Sequence, residues 1–379
     1  MRHDANQREH SPSSSPTILD SIAHFIERFV FLRQPELYRL IAVWVLATHL
    51  HTRFEYMGYL FAHSPEPQSG KSRLLEVLDL LVSNSSGVQV SPTEAVLFRT
   101  AHKSTQLLDE ADGWRNRDEL RSVLNAGYRN GGFIHRMEPD RKGGYKVAKF
   151  SVYGPRALAG IGLGILDGTT RDRTFVIEMV RQTPEERREP FRLRKLKREV
   201  EVLRKEIGAW VKEHGQEVDD CYDRSEFPYL DTFRDRTIDV AQPLLAIVEV
   251  AYRGNKELEE ARLGLIAAVA TTRKDQESLV LEHRILHELV RLASKEDPLV
   301  GTASELAAKC SGLPEKPSEY TVSGTLRRYG FETKSVRKDG VPKYRYSLPH
   351  ERLADISRRY ACSGSAQGTE VDSDEVTTP

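Results

Sequence analysis

One segment limits the architectures open to this chain more than any other. "YMGYLFAHSPEPQSGKSRLLEVLDLLV", residues 56–82, joins an apolar run to an amphipathic helix through a turn ending Gly70-Lys71-Ser72. The run to Ala62 reads as a short buried strand, and Leu74, Leu75, Leu78 and Leu81 fall on one side of the following helix. The ending matches that of a phosphate-binding loop, G-x-x-x-x-G-K-[ST], in which successive backbone N–H groups and a helix N-terminus converge on an anion. Gln68, Ser69, Gly70, Lys71 and Ser72 would form the cradle, with Lys71 on the β/γ-phosphates of ATP and Ser72 on one Mg2+ coordination place. Pro65 stands where the pattern has its first glycine, and GKS alone is also compatible with an ordinary helix start.

A second element supports the first. "QLLDEADGW" places Asp109 and Glu110 at the end of another predicted strand. Nucleotide hydrolysis needs one carboxylate to support the metal shell and another to polarise the attacking water. Asp109 suits the metal side and Glu110 the catalytic base, although such an acid pair also occurs in solvated turns. "GTTRDRTFVIEM" then sets Arg171 and Arg173 before a further apolar strand. In an oligomer, an arginine there can reach a neighbour's γ-phosphate, with Arg173 favoured because it abuts the strand. The alternative is surface pairing with Asp167 or Asp172. Arg156, in "SVYGPRALAGIG", and Asn125, in "SVLNAGYRNGG", are candidate γ-phosphate sensors.

Strand signals at "GVQVS", "TQLLDEAD", "KVAKFSVYGP" and "RTFVIEMV" alternate with helical ones at "TEAVLFRTAH" and "NRDELRSVLNAGYRNGG", the latter closed by Gly131 and Gly132. That alternation predicts an α/β fold, a P-loop NTPase core whose parallel sheet has helices on both faces. The core is expected over 55–182, after a polar segment 1–16 read as disordered and helices over 17–54 that Pro35 interrupts. A charged helical region follows over 183–300. Its helix "FRLRKLKREVEVLRKE" either lines a channel, carries a lid arginine (Arg192 or Arg194), or is a solvated face. Residues 301–360 read as helix, helix and hairpin, a winged-helix-like module, and 361–379 as a disordered tail. Arg327, Arg328, Lys334, Arg337, Lys338, Lys343 and Arg345 give that module a surface suited to DNA phosphates, or to a protein contact.

Charge and cysteine content narrow the class. Lys plus Arg and Asp plus Glu both number 56, so DNA contact would depend on local patches rather than net charge. The three cysteines form no disulfide framework or zinc pattern, which fits the cytoplasm. The N-terminus lacks an apolar signal-peptide core, and the longest apolar run, Leu40 to Leu50, is too short to span a bilayer.

Taken with "SPEPQSGKSRLLEVLDLL", "LLDEADGW", "LRSVLNAGYRNGG", "YGPRALAGIG…TTRDRTFVIEM" and "SELAAKC…VSGTLRRYGFETKSVRKDG…KYRYSL", the chain resembles domain-of-unknown-function family 3631 over roughly Leu19 to Tyr360. This is a group of mobile-element P-loop ATPases often labelled DNA primase/helicase. The family's loop commonly opens Ser-Pro-Glu, so Pro65 agrees with its pattern. The resemblance implies an additional-strand core broadly like AAA+ and superfamily-three helicases, acting on DNA. Gln106 departs from it, since apolar residues are more usual in the acid-bearing strand, and no primase domain is recognisable ahead of the ATPase. The expectation is an ATP- and Mg2+-dependent ATPase with DNA as partner, working as a homo-oligomer with a ring as one form. An NTP-regulated DNA-binding or loader protein, and a small-molecule P-loop kinase, are the alternatives.

Overall fold

The computed structural model describes residues 16–64, 67–111, 118–140, 143–161, 166, 168–224, 226–228, 230, 233, 235–278, 281–313, 316–338 and 341–360. The segments expected to be disordered, apart from Pro16, lie outside them. Two compact units divide the chain at Arg273 and Lys274.

The first unit opens with α1 (Ile18–Phe29) and α2 (Glu36–Leu50). Thr17 starts α1 through a capping box, its hydroxyl accepting from the Asp20 N–H while the Asp20 carboxylate accepts from the Thr17 N–H. Twelve of the 15 residues of α2 are buried, which is the behaviour of a helix apolar on every side. The Leu40–Leu50 run is therefore core. No helix among the described residues is long and apolar enough to cross a membrane.

Next come β1 (Tyr59–Ser64), α3 (Lys71–Leu81), β2 (Ser85–Val90), α4 (Glu94–Thr100), β3 (Thr105–Asp109) and α5 (Asp118–Gly127). A hairpin of β4 (Phe133–Pro139) and β5 (Tyr145–Ser151) precedes β6 (Arg156–Ile161), α6 (Gly168–Arg171) and β7 (Thr174–Glu178). The strands β2-β3-β6-β1-β7 form one sheet in that order, parallel throughout. Alternate residues face opposite layers. Tyr59, Phe61, Leu108, Leu158 and Val176 meet residues of α4 and α5, while Leu60, Ala62, Leu107, Ala157 and Phe175 join the larger core with α1, α2 and α3. The expected α/β sheet with helices on both faces is present. Helices α7 (Leu193–Arg224), α8 (Asp235–Ala251) and α9 (Leu258–Ser278) follow, α7 and α8 both contributing to that larger core.

The structure corrects two local readings. "KVAKFS" is a strand, within β5, but it pairs antiparallel with β4 in a separate two-stranded sheet, and the strand of the parallel sheet is "RALAGI". Alternating exposure along "KVAKFS" suits a one-sided hairpin, whereas β6 is buried along five of its six residues. The helix "DELRSVLNAG" closes at Gly127, ahead of Gly131 and Gly132. A Cβ at Gly127 would lie 2.4 Å from Arg156 Nη1 and 2.5 Å from the Val152 carbonyl, so no larger residue fits.

Arg156 itself is fully buried at the amino end of β6. Its Nε donates to Gln106 Oε1 at 2.7 Å, Nη1 to the Tyr59 hydroxyl at 3.0 Å and the Gly154 carbonyl at 3.2 Å, and Nη2 to the Val152 carbonyl at 2.6 Å. Gln106 also donates to the Leu97 carbonyl and the Thr100 hydroxyl. The unusual Gln106 is thus the partner that a buried guanidinium requires. This rules out the γ-phosphate sensor role for Arg156, because it stands at the edge of the sheet opposite the loop.

The second unit contains α10 (Leu281–Ala293), β8 (Leu299–Gly301), α11 (Ala303–Lys309), α12 (Glu319–Arg328), β9 (Thr333–Lys338), β10 (Val341–Leu348) and α13 (His350–Tyr360). Its antiparallel sheet runs β8-β10-β9. Ile285, Leu289, Val322, Leu326, Phe331, Tyr346 and Leu348 share one core, so α10 belongs with this unit rather than with the preceding helices.

Removing the Arg156 guanidinium strands several buried acceptors. Arg156→Leu is expected to lower unfolding free energy by about 3 kcal/mol and Gln106→Leu by about 1–2 kcal/mol. The double variant should cost at least ~1 kcal/mol less than their sum, read from urea unfolding of all four proteins.

Candidate nucleotide site

Register brings the loop and the acid pair to one edge. Phe61 of β1, Leu158 of β6 and Leu108 of β3 are level across three adjacent strands. Asp109 therefore ends β3 at the height of Ala62, with Glu110 beyond it, and Ser64 ends β1 at the same carboxyl edge. One strand, β6, separates them, so the acids lie two strand spacings, roughly 10 Å, from β1. Carboxyl ends of parallel strands are where such sheets place ligands.

Gly70 takes φ 90° and ψ 5° as the residue preceding α3, a left-handed geometry that glycine adopts without strain. The Lys71 ammonium donates to the Ser64 hydroxyl at 2.6 Å and the Ser69 hydroxyl at 3.3 Å; Ser69 in turn donates to Ser64 at 2.8 Å. The ammonium is held at the mouth of the loop. Pro65 lies outside the described residues. Gln68 and Glu110 both have positive φ, 63° and 54°, and the Glu110 N–H donates to Asp109 Oδ1 at 2.8 Å. Ser72 and Glu110 are exposed and Asp109 is half-buried. A hydroxyl and a carboxylate beside phosphate oxygens form a donor set that fits Mg2+, which keeps several waters and takes few protein ligands.

A cleft of about 560 Å³ opens beside the loop. Gln68, Ser69 and Gly70 line one wall; Arg73, Arg181, Arg187 and Arg188 add cations; Phe29, Val30, Phe31, Pro190 and Phe191 supply an apolar end. Arg73 lies 4.5 Å above the Phe191 ring, and Arg181 Nε donates to the Pro67 carbonyl at 3.1 Å. Arg192 and Arg194 are exposed and do not line this cleft. Sequence reading missed Arg73 and Arg181. Their positions one residue past Ser72 and just beyond β7 are the signal that marks them.

The other candidates fall elsewhere. Arg173 is buried at the amino edge, its Nη1 donating to the Asn125 carbonyl at 2.9 Å and to Asn125 Oδ1 at 2.8 Å, with the guanidinium 4.0 Å from the Tyr128 ring centre. Asn125 also accepts from the Thr170 hydroxyl at 3.0 Å, so it braces this edge of its own chain. Arg171 is half-buried and donates to the Leu166 carbonyl at 3.0 Å. Asp167 lies outside the described residues. In the second unit Arg327, Lys334 and Lys343 are exposed. Arg345 instead forms a bidentate pair with Glu305, both contacts 2.8 Å. The side chains of Arg328, Arg337 and Lys338 lie outside the described residues.

Residues 178–360 match the model of a family described as a protein of unknown function, DUF3631. That stretch begins at the last residue of β7, beyond the loop and the acid pair. No curated protein matches the chain. Similar solved structures include the apo C-terminal region of NrS-1, with TM-score 0.37, 12% identity, and coverage of 88% of this chain and 75% of that one. The Aeropyrum pernix ORC2 protein in its ADP form gives TM-score 0.26 and 11% identity over 87% and 94%. Drosophila ORC bound to DNA gives TM-score 0.23 and 11% identity over 94% and 96%. Likenesses at these TM-scores leave fold and site to be argued from the sheet itself.

His63, beside the loop on β1, is 2% exposed, and neither ring nitrogen has a hydrogen-bond partner among the described residues. Burial, with a smaller contribution from Lys71, pushes its pKa down to about 4. The unfolded chain, near 6.5, binds the proton first, so stability is full above pH 6.5 and falls as pH drops toward 4. Urea unfolding across that range should show a loss of about 3 kcal/mol that His63→Leu removes.

Proposed function

We propose that the chain binds and hydrolyses ATP at the carboxyl edge of the sheet and couples this to work on DNA as a helicase-like factor. The observation that carries the reading is the juxtaposition just described. A loop with Lys71 at its mouth and an acid pair on a separate strand share one edge, one strand apart.

In this reading the N–H groups from Gln68 to Ser72 and the amino end of α3 hold the β- and γ-phosphates. Lys71 leaves the Ser64 hydroxyl for phosphate oxygens. Ser72 would hold Mg2+ with support from Asp109, and the ion would supply charge neutralisation at the phosphoryl group. Glu110 takes a proton from the attacking water; its exposed, left-handed position at the strand end leaves the carboxylate free of the core. The base and ribose occupy the apolar end of the cleft, against Val30, Phe31 and Pro190 and beside the packed Phe29–Phe191 pair. A finger acting in trans within a homo-oligomer, a ring included, falls to Arg173 or Arg171, each of which would have to exchange an acceptor of its own chain for the neighbour's phosphate. DNA contact by the second unit, read as a winged-helix-like module, rests on Arg327, Lys334 and Lys343, with Arg328, Arg337 and Lys338 on the same elements.

Hydrolysis by the purified chain with Mg2+, with and without single-stranded DNA, tests this directly. Glu110→Gln should retain nucleotide binding and lower kcat by roughly 10²–10⁴-fold, while Lys71→Ala should abolish binding. DNA-stimulated turnover with strand displacement supports the helicase, and stimulation without displacement points to a loader or switch. An unsubstituted chain that neither binds nor hydrolyses ATP sinks the proposal. Light scattering during turnover tests the finger, since a strictly monomeric active enzyme excludes it.

A further inference from the structure

The apolar end of the cleft has two walls that lie far apart in the chain. Val30 and Phe31, from the turn between α1 and α2, form one. Arg188, Pro190 and Phe191, from the segment joining β7 to α7, form the other. Neither stretch belongs to a helix or strand, so other groups must hold both in place.

One hydroxyl joins them. Tyr38 of α2 is buried, and its Oη donates to the Val30 carbonyl at 2.9 Å. The same oxygen accepts from the Leu32 N–H at 2.8 Å and from Arg188 Nη2 at 3.1 Å. These bonds use the full capacity of a phenolic hydroxyl and bracket Phe31 on both sides. Burial raises the Tyr38 pKa, against the opposing pull of the Leu32 N–H and Arg188. The proton given to Val30 is therefore kept at neutral pH.

Arg188 is the charged group that this hydroxyl aims. Its guanidinium stands 5.6 Å from the Phe31 ring centre, and Nη1 lies 3.6 Å from the Glu27 carboxylate. Nε is buried with no acceptor among the described residues, which leaves one donor uncommitted in the cleft wall. The Arg28–Glu189 pair also links the two walls, but it is exposed, and pairs of that kind contribute little.

We propose that Tyr38 is a positioning residue for the nucleoside half of the bound nucleotide. Its hydroxyl sets the spacing of the two walls and holds Arg188 so that Nε can donate to a base or ribose acceptor. The inference rests on the nucleotide reading given under the proposed function. The phosphate half needs none of these groups, because the loop amides and Lys71 hold it. A nucleotide and a bare polyphosphate should therefore respond differently when Tyr38 is altered.

Calorimetric titration of the full chain with ATP and with inorganic tripolyphosphate, both with Mg2+, tests this. Tyr38→Phe should weaken ATP by roughly tenfold and leave tripolyphosphate unchanged within about twofold. In steady-state hydrolysis the same variant should raise KM by a similar factor at nearly constant kcat. Arg188→Lys keeps the charge but not the fork of donors, and it should reproduce the selective loss. It also decides the matter if Tyr38→Phe does not fold. Equal weakening of both ligands overturns the inference, since it shows general damage to the loop. ATP affinity unchanged within about twofold in both variants overturns it as well. An unsubstituted chain that binds tripolyphosphate as tightly as ATP overturns it while leaving the phosphate loop intact. Binding of neither ligand removes the nucleotide reading together with this one.

Discussion

A row of three side chains, Gln106, Arg156 and Tyr59, fixes the rest of this architecture. They stand level at the amino ends of β3, β6 and β1, joined by the fully buried guanidinium. A buried arginine is costly unless its donors are met, and this one also ties down the carbonyls of Val152 and Gly154 at the entry to β6. A slip of one residue in any of the three strands would turn that strand's side chains to the other face and break the row. The same register sets the height of Ser64 and Asp109 at the opposite edge. Placement of the loop and acids is therefore a consequence of packing far from them.

The two edges of the sheet contrast in backbone conformation. Of the four described non-glycine residues with positive φ, Ser91 and Glu110 directly follow the carboxyl ends of β2 and β3, and Gln68 lies in the loop between β1 and α3. Each such residue costs of order 1–3 kcal/mol, and surrounding structure must hold it in place. Ser91 and Glu110 are both tied to Asp109, the first through its carbonyl and the second through its carboxylate. Hydrogen bonding consolidates the amino edge, and strain collects where a ligand would bind.

Much of the first unit was legible because its signals are local. The β1–loop–α3 segment and the acids of β3 each declare themselves within about ten residues, where periodicity and end signals operate. The hairpin was not legible as such. Its Gly143–Gly144 turn went unread, and the strand that replaces "KVAKFS" in the sheet opens on an arginine, a poor advertisement for burial. Gln106 and Arg156 each look anomalous alone, and only their pairing across fifty positions explains them. No window of sequence spans that distance. In the second unit α11, α12 and the β9–β10 hairpin were readable, whereas the pairing of Arg345 with Glu305, forty residues away, was not.

Three arginines expected to face a ligand (Arg156, Arg173 and Arg345) are instead used within the chain. The reason lies in the residue. A planar guanidinium offers five donors in a rigid fork, is weakly hydrated, and can satisfy several carbonyls and rings at once, so a fold can bury it as a cross-link. Adjacency to a strand, the feature that favoured Arg173 as a finger, is also what carried it under Tyr128 and Asn125. Lysine keeps a compact, strongly hydrated charge and resists such use. Among the described side chains, the exposed Lys and Arg residues of the two hairpins, Lys146, Lys149, Lys334 and Lys343, are all lysines. In a chain with equal numbers of positive and negative side chains, that division of labour, rather than net charge, determines which surfaces can meet a polyanion.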